Sequence, residues 1–302
     1  MPSTERGSIT IEGHTITITN PLKPLWPELG VTKMEYLQTL GRLAPHLLTY
    51  CRDRYLTTIR FPHGVGDKSF YQKNAPEPTP EFVRTAVERR EGINYVVLDN
   101  LPTLIWLGNL ACLEFHPSLR KVEDPLPAEW VLDIDPSQDP EPRLMEAVLL
   151  LGDILKQIGI AVVPKTSGAS GIQLWARIRR GYTFDELRKI GEFVAGYAVN
   201  RHPGLFTVER LKARRGTKIY IDYMQHGYGK TIAAPYTPRA RPHGGVSTPL
   251  TWEEVERLPD VREYNLRTVP DRLDRIGDLL ASAPENDFDA ILDVLGSGKA
   301  RT

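Results

Sequence analysis

The stretch Trp130–Ser137, WVLDIDPS, sets two carboxylates two residues apart inside an apolar run. Side chains alternate along a strand, so Val131, Asp133 and Asp135 share one face while Leu132 and Ile134 share the other. The apolar pair can enter a core as both carboxylates leave it. Pro136 has no N–H for a ladder and ends the strand. Two carboxylates on one face repel unless positive charge stands between them, and a divalent cation meets that need. Taken alone, a D-x-D is more often the solvated face of an ordinary strand, so the surroundings have to separate the two readings.

Downstream, Leu144, Val148, Leu151, Leu155 and Ile158 follow at helical spacing, with Gly159 placed as a stop. Ile160–Val163 predicts a buried strand, Lys165–Gly171 a loop and Ile172–Ile178 a further strand. Thr183 and Glu186 form a capping box for a helix reaching Asn200. Lys218–Tyr223 predicts a strand with Lys218, Tyr220 and Asp222 on one face, so a third acid repeats the first pattern. Pro235–Pro249 is irregular and rich in Pro and Arg, and Thr268 with Pro270 opens a C-terminal helix.

Upstream, Ile9, Ile11, Ile16 and Ile18 alternate around Glu12-Gly13, which predicts a hairpin. Thr32 and Glu35 form another capping box, opening a helix that buries Leu37, Leu40, Leu43 and Leu47. Strands are expected at Tyr55–Arg60, Ser69–Asn74 and Tyr95–Leu98, and a helix over Glu81–Gly92. Leu104–Leu113 is apolar on all sides and predicts a buried helix closed by Phe115-His116-Pro117. Strands and helices mix without strict βαβ alternation, so the fold class is α+β with mostly antiparallel sheets.

Lys+Arg and Asp+Glu are both 38, so bulk charge does not announce a nucleic-acid partner and any such surface must be local. Charge is unevenly spread. Arg201, Arg210, Lys212, Arg214, Arg215, Lys218, Lys230, Arg239 and Arg241 face only Glu209 and Asp222 in the same span, which makes it a candidate phosphate-binding segment. Cys51 and Cys112 are the only cysteines, and no Cys/His cluster supports zinc. The N-terminus lacks an apolar signal core and no apolar run reaches about 18 residues. Reduced thiols, a cytoplasmic location and no membrane partner are expected.

Four constellations carry chemistry. Asp133, Asp135 and Asp222 on strand faces can hold two divalent ions, an arrangement suited to in-line phosphoryl transfer. The loop Lys165-Thr166-Ser167-Gly168-Ala169-Ser170-Gly171 can turn N–H groups toward an anion, or is an ordinary small-residue turn. Arg239 and Arg241 alternate in an extended segment and suit a triphosphate, or are solvated. Lys23 and Lys33 offer phosphate contacts, and Phe70 and Tyr71 offer stacking platforms unless they are core residues.

Together these pieces resemble the polymerase domain of bacterial and archaeal DNA ligase D, in the archaeo-eukaryotic primase superfamily. The motifs are LIWLGNLACLEFHP (Leu104–Pro117), VLDIDPS (Val131–Ser137), Lys165–Gly171, and the long Ile221–Pro249 segment containing the R-A-R arginines. The resemblance implies a primase-like polymerase fold and a free-standing polymerase domain over 1–302: an N-terminal hairpin to 20, a catalytic body over 21–252 and C-terminal helices over 253–302. It implies metal ligands at Asp133, Asp135 and Asp222, with two Mn2+ or Mg2+ ions as cofactors. Nucleotide contacts are implied at His116, Lys165, Ser167, Gly168, Gln173, Arg239 and Arg241. Lys23 and Lys33 would grip a DNA 5′-phosphate, and Phe70 and Tyr71 would stack on the DNA.

The implied reaction is template-directed addition of nucleotides, often ribonucleotides, to a 3′-hydroxyl at gapped or overhanging ends. A Ku-like end binder and a separate ligase are the implied partners, in a nucleoid-associated setting. One departure stands out. Where the family loop reads S-G-x-K-G-x-H, Ser170 takes the lysine position and Gln173 the histidine position. A glutamine amide can donate a neutral hydrogen bond but carries no charge. A non-catalytic DNA-end-binding module and a replicative-type primase are the alternative readings.

Overall fold

The computed structural model describes residues 6–257 and 260–296. The ends of two expected segments, 1–5 and 297–302, lie outside the described residues, as do 258–259. The chain forms two compact units. The first comprises Met1–Ser118, Thr231–Ser247 and Arg262–Gly277; the second comprises Leu119–Lys230, Thr248–Val261 and the chain from Asp278 onward.

In the first unit, β1 (Arg6–Ile11) and β2 (His14–Thr19) form the expected hairpin. A second small hairpin pairs β3 (Pro24–Trp26) with β4 (Val31–Thr32). Helix α1 (Lys33–Cys51) starts at a complete capping box: Glu35 N–H donates to Thr32 Oγ1, and Thr32 N–H donates to the Glu35 carboxylate at 2.7 Å. Its apolar face, Tyr36, Leu37, Leu40, Leu43 and Leu47, enters the core of this unit.

The remaining strands of the first unit are β5 (Arg54–Arg60), β6 (Phe70–Gln72), β7 (Thr85–Glu88) and β8 (Ile93–Val96), ordered β6-β5-β8-β7. The helix expected over Glu81–Gly92 does not form. Thr85–Glu88 pairs residue by residue with Ile93–Val96, and that ladder outweighs local propensity. The apolar run at 104–113 is also divided. Helix α2 (Leu101–Asn109) stops, Ala111 takes a positive φ of 59° that reverses the chain, and β9 (Cys112–Lys121) begins and pairs with β5. Phe115-His116-Pro117 therefore lies within a strand instead of closing a helix.

In the second unit a six-stranded sheet is built from β10 (Glu129–Asp135), β11 (Val163–Thr166), β12 (Ile172–Ile178), β13 (Phe206–Thr207), β14 (Ile219–Asp222) and β15 (Glu285–Asn286). The order is β11-β12-β10-β14-β13, with β15 on β12. The β11–β12, β12–β10 and β10–β14 ladders are antiparallel; β13–β14 and β12–β15 are parallel. Helices α3 (Leu144–Gln157), α4 (Phe184–Arg201) and α5 (Trp252–Arg257) belong to this unit. Trp130, Leu132 and Ile134 are fully buried, and Trp130 Nε1–H donates to Leu187 O at 3.0 Å. The strand expected at Ile160–Val163 starts at Val163 and takes in Lys165 and Thr166, because these pair with Gln173 and Ile172.

Cys51 and Cys112 are buried free thiols, and burial pushes them up to about 12 and about 11. Among the described residues no helix is long and apolar enough to cross a membrane. The α+β class with largely antiparallel sheets is what the sequence predicts.

Candidate active site

Sheet register assembles the first cluster. Lys165 pairs with Gln173, Gln173 with Asp133, and Asp133 with Asp222. Directly paired residues of an antiparallel ladder project from the same face. Four strands thus carry one file, Lys165–Gln173–Asp133–Asp222. Asp135, two residues beyond Asp133, and its partner Tyr220 lie on the same face.

The file is charged unevenly. Lys165 is fully buried, and its Nζ donates to Gln173 Oε1 at 2.5 Å and sits 5.7 Å from the Trp175 ring centroid. Asp133 Oδ1 is buried with no hydrogen-bond partner. Burial, and then the charges of Asp135 and Asp222, push the Asp133 carboxyl up to about 8; a hydrogen bond from Gln173 and the charge of Lys165 oppose this without cancelling it. Asp222 Oδ1 accepts from Met224 N–H at 2.9 Å, so Asp222 also caps a short 3-10 turn, Tyr223–Gln225. That cap ends the strand at Asp222, one residue short of the expected Tyr223.

These residues suit a divalent cation by donor chemistry. All three carboxylates are hard oxygen donors, and one buried oxygen is orphaned. Among the described residues no three His, Cys, Asp or Glu side chains form a ready-made ligand set, so the carboxylates stand near one another without converging.

The loop after β11 is organised on Ser167. Its Oγ accepts from the N–H groups of Ala169 and Gly171, both at 3.1 Å, and its own N–H donates to Gly171 O at 2.9 Å. Two N–H groups of the anticipated anion nest are therefore satisfied within the loop. Gly168 has φ of 73°, and a Cβ on Gly171 would fall 2.7 Å from Ile134 O and 3.2 Å from Asp135 Oδ1. Only glycine at 171 lets the loop return this close to the end of β10. Lys165 and Gln173, expected to touch nucleotide directly, are 0% and 3% exposed, and their polar atoms engage each other.

The second cluster lies in the first unit and centres on Glu114, a residue the sequence reading passed over. Glu114 and His116 are two apart on β9 and share a face. Glu114 Oε2 meets His116 Nε2 at 2.8 Å and accepts from Arg239 Nε at 2.8 Å, while Oε1 accepts from Ala240 N–H at 3.0 Å. Burial alone raises Glu114, but His116, Arg239 and the Ala240 N–H outweigh it and bring the carboxyl down to about 2. Arg239-Ala240-Arg241 is not extended as expected. Arg241 N–H donates to Arg239 O at 2.8 Å, a γ-type turn tucked around Glu114. The E-x-H spacing, two residues on one strand face, was the available signal for Glu114.

A third cluster lies in the same unit. Lys33 is 5% exposed and donates to Asn109 O at 2.9 Å, and Lys23 Nζ donates to Pro62 O. Burial, and then the charge of Lys23, bring Lys33 down to about 8. Two neighbouring ammonium groups held by carbonyls form a positive site without a carboxylate in these bonds. Phe70 and Tyr71 are 45% and 75% exposed, a level that core residues do not show; the Arg60 guanidinium lies 5.2 Å from the Phe70 ring centroid. Tyr220, which the sequence places on the Asp222 face without a role, is covered by the Arg215 guanidinium at 3.9 Å, and burial followed by Asp222 pushes its phenol up to about 12.

Residues 32–280 match the family model "LigD, primase-polymerase domain". The chain is 37% identical over 248 residues to the bifunctional non-homologous end joining protein LigD of Bacillus subtilis, covering 82% of this chain and 40% of that protein. It is 31% identical over 288 residues to the multifunctional LigD of Mycobacterium tuberculosis, covering 90% of this chain and 38% of that protein. The chain thus spans about two fifths of the length of the curated relatives it matches. Its fold matches the polymerase domain of Mycobacterium tuberculosis ligase D, solved in complex with DNA, with a TM-score of 0.81 and 28% identity, covering 89% of this chain and 99% of that one. The chain belongs to the LigD primase-polymerase domain family and is a polymerase of the nucleotidyltransferase class.

Proposed function

We propose that this chain adds nucleotides, directed by a template, to the 3′-hydroxyl of gapped or overhanging DNA ends that carry a 5′-phosphate, during end joining. The observation that carries the reading is the carboxylate face of β10 and β14, with Asp133 Oδ1 buried and unpartnered, in a chain of this family. Asp133, Asp135 and Asp222 would hold two divalent ions, Mn2+ or Mg2+, which when bound acidify the attacking hydroxyl and steady the leaving oxygen. Arg239 and Arg241 bind the nucleotide phosphates, with Glu114 fixing Arg239 through its Nε. Ser167 and Gly168 shape the loop beside Asp135. Lys23 and Lys33 take the 5′-phosphate, and Phe70 and Tyr71 stack on the DNA. Ribonucleotides are the preferred substrates, and a Ku-like end binder and a separate ligase complete the repair in the nucleoid.

The test is extension of a 5′-phosphorylated gapped duplex with each NTP and dNTP, in Mn2+ and in Mg2+. Gap filling that is lost in Asp133→Ala and Asp222→Ala is the expected result. Extension that persists in both variants sinks the catalytic assignment. Tight 5′-phosphate-dependent binding without extension in either metal would make the chain an end-binding module. Dinucleotide synthesis on unprimed single strands would make it a primase.

A further inference from the structure

Gln173 occupies the file between the buried ammonium and the carboxylates, and its chemistry fixes which way its amide points. An ammonium has three donors and no acceptor. Lys165 Nζ lies 2.5 Å from Gln173 Oε1. The opposite flip would set an NH2 against an NH3+, donor against donor, so the oxygen must face Lys165. The NH2 is then committed to the other side, where the register sets Asp133 directly opposite and where the amide favours the ionised Asp133 carboxylate. Both Gln173 and Lys165 are enclosed, at 3% and 0% exposure.

We infer that Gln173 is a positioning residue of the carboxylate centre, not a nucleotide contact: Lys165 orients its amide, and the amide holds Asp133 so that Oδ1 is presented to a divalent cation. This rests on the proposed metal role of Asp133. Three observations bear on it independently. Asp133 Oδ1 is buried and has no partner, so the Gln173 amide opposite leaves that oxygen unpaired. Lys165 is anchored from behind by Thr166 O at 3.4 Å and by the Trp175 ring, so it cannot swing toward solvent without dismantling the edge of the sheet. The cation of the file, Lys165, is bonded to Gln173, so Gln173 stands between that charge and Asp133. Ligating carboxylates are themselves hydrogen-bonded, and loss of such a partner typically costs about 10–100-fold in metal affinity or activity.

The experiment measures Mn2+ binding to the full chain without nucleotide or DNA, by the paramagnetic resonance of free Mn2+, alongside nucleotide KM in gap filling. The variants are Gln173→Met, Lys165→Met and their double. Gln173→Met keeps length and apolar volume, and thermal melting checks its fold. It is expected to weaken Mn2+ binding by roughly 10–100-fold. Lys165→Met is expected to act in the same direction, and the double variant to be no worse than the weaker single, since both cut one chain of contacts. If Lys165→Met does not fold, Gln173→Met alone decides the matter. Unchanged Mn2+ affinity with a raised nucleotide KM in Gln173→Met would overturn the inference and return Gln173 to the nucleotide. Additive losses in the double variant would break the Lys165 link. Mn2+ binding absent in the wild type, or unchanged in Asp222→Ala, would instead remove the metal reading on which the inference stands.

Discussion

Two acids, one in each unit, are treated in opposite ways. Glu114 is closed on all sides: His116, Arg239 and the Ala240 N–H converge on it, and its carboxyl falls to about 2. Asp133 is left open: its nearest charges include two further acids, one of its oxygens has no partner, and its carboxyl rises to about 8. A carboxylate satisfied from within organises its surroundings, and here it shapes the R-A-R turn. A carboxylate denied its counter-charge stores a deficit that only something from outside removes. The difference separates an acid that the fold satisfies from one that the fold leaves unsatisfied.

The largest break in that contrast comes from removing the open acids. Asp133→Ala and Asp222→Ala should each lower primer extension by at least about 10³-fold, roughly 4 kcal/mol of barrier, with DNA binding in gel shift intact. Loss of binding alongside would mean these acids support structure as Glu114 does.

The next largest concerns the closed acid. Removing one partner of a buried ion pair costs about 3–5 kcal/mol. Glu114→Gln, which keeps an acceptor for Ala240, should fall at the low end of that range in urea unfolding. The carboxyl is depressed from 4.5, so its stabilisation is full above about pH 4.5 and lost as pH falls toward 2. The acid limb of the wild-type stability curve should therefore be steeper than that of Glu114→Gln. Coincident limbs would place Glu114 outside the ion network.

Smaller, and opposite in sign, is the effect of neutralising the open acid. A raised carboxyl means that stability without metal is full near pH 4 and declines as pH climbs through about 8. Asp133→Asn should raise the melting temperature at pH 8 in chelator, by roughly 2–4 °C for each kcal/mol of repulsion relieved. Added Mn2+ should close that gap by stabilising only the wild type. A variant less stable than the wild type in chelator would show that Asp133 is compensated after all.

The smallest effect extends the contrast to cations. Lys33 is held near 8 by burial and by Lys23, so its charge fades as pH rises through 8, well below the usual lysine range. Preference for 5′-phosphorylated over unphosphorylated ends should decline across that interval, and Lys33→Arg should remove the decline. Lys23→Ala and Lys33→Ala should each flatten the salt dependence of end binding by roughly one unit. A pH-independent preference would assign the phosphate to other residues.

Much of this was legible in the chain, for local reasons. Thr32 with Glu35 and Thr183 with Glu186 form both capping boxes as read, because three-residue spacing is all that motif needs. The period-2 pattern of Trp130–Ser137 and Ile172–Ile178 fixes which side chains share a face, and Asp222 follows from the same rule. What was hidden depends on distant partners. Nothing local distinguishes Thr85–Glu88 from a helix until Ile93–Val96 pairs with it. The chain reverses at Ala111 with a positive φ rather than at Gly108 or Asn109, the turn-forming residues just before it. Lys165 and Gln173 are eight residues apart and read as separate loop and strand positions; only the hairpin register makes them one unit. Glu114 was overlooked because its partners Arg239 and Ala240 lie 125 and 126 residues away.

The two cysteines have a practical use. Cys51 and Cys112 are fully buried, and their thiols ionise only near pH 12 and 11. Thiolate, not thiol, attacks maleimides and disulfide reagents, so both native sulfurs should stay silent at neutral pH. A single cysteine introduced at Ser170, half-buried in the loop off β11, would then be the one reactive handle on the chain. A spin label there would report movement of that loop as nucleotide or metal is added, in the otherwise native protein.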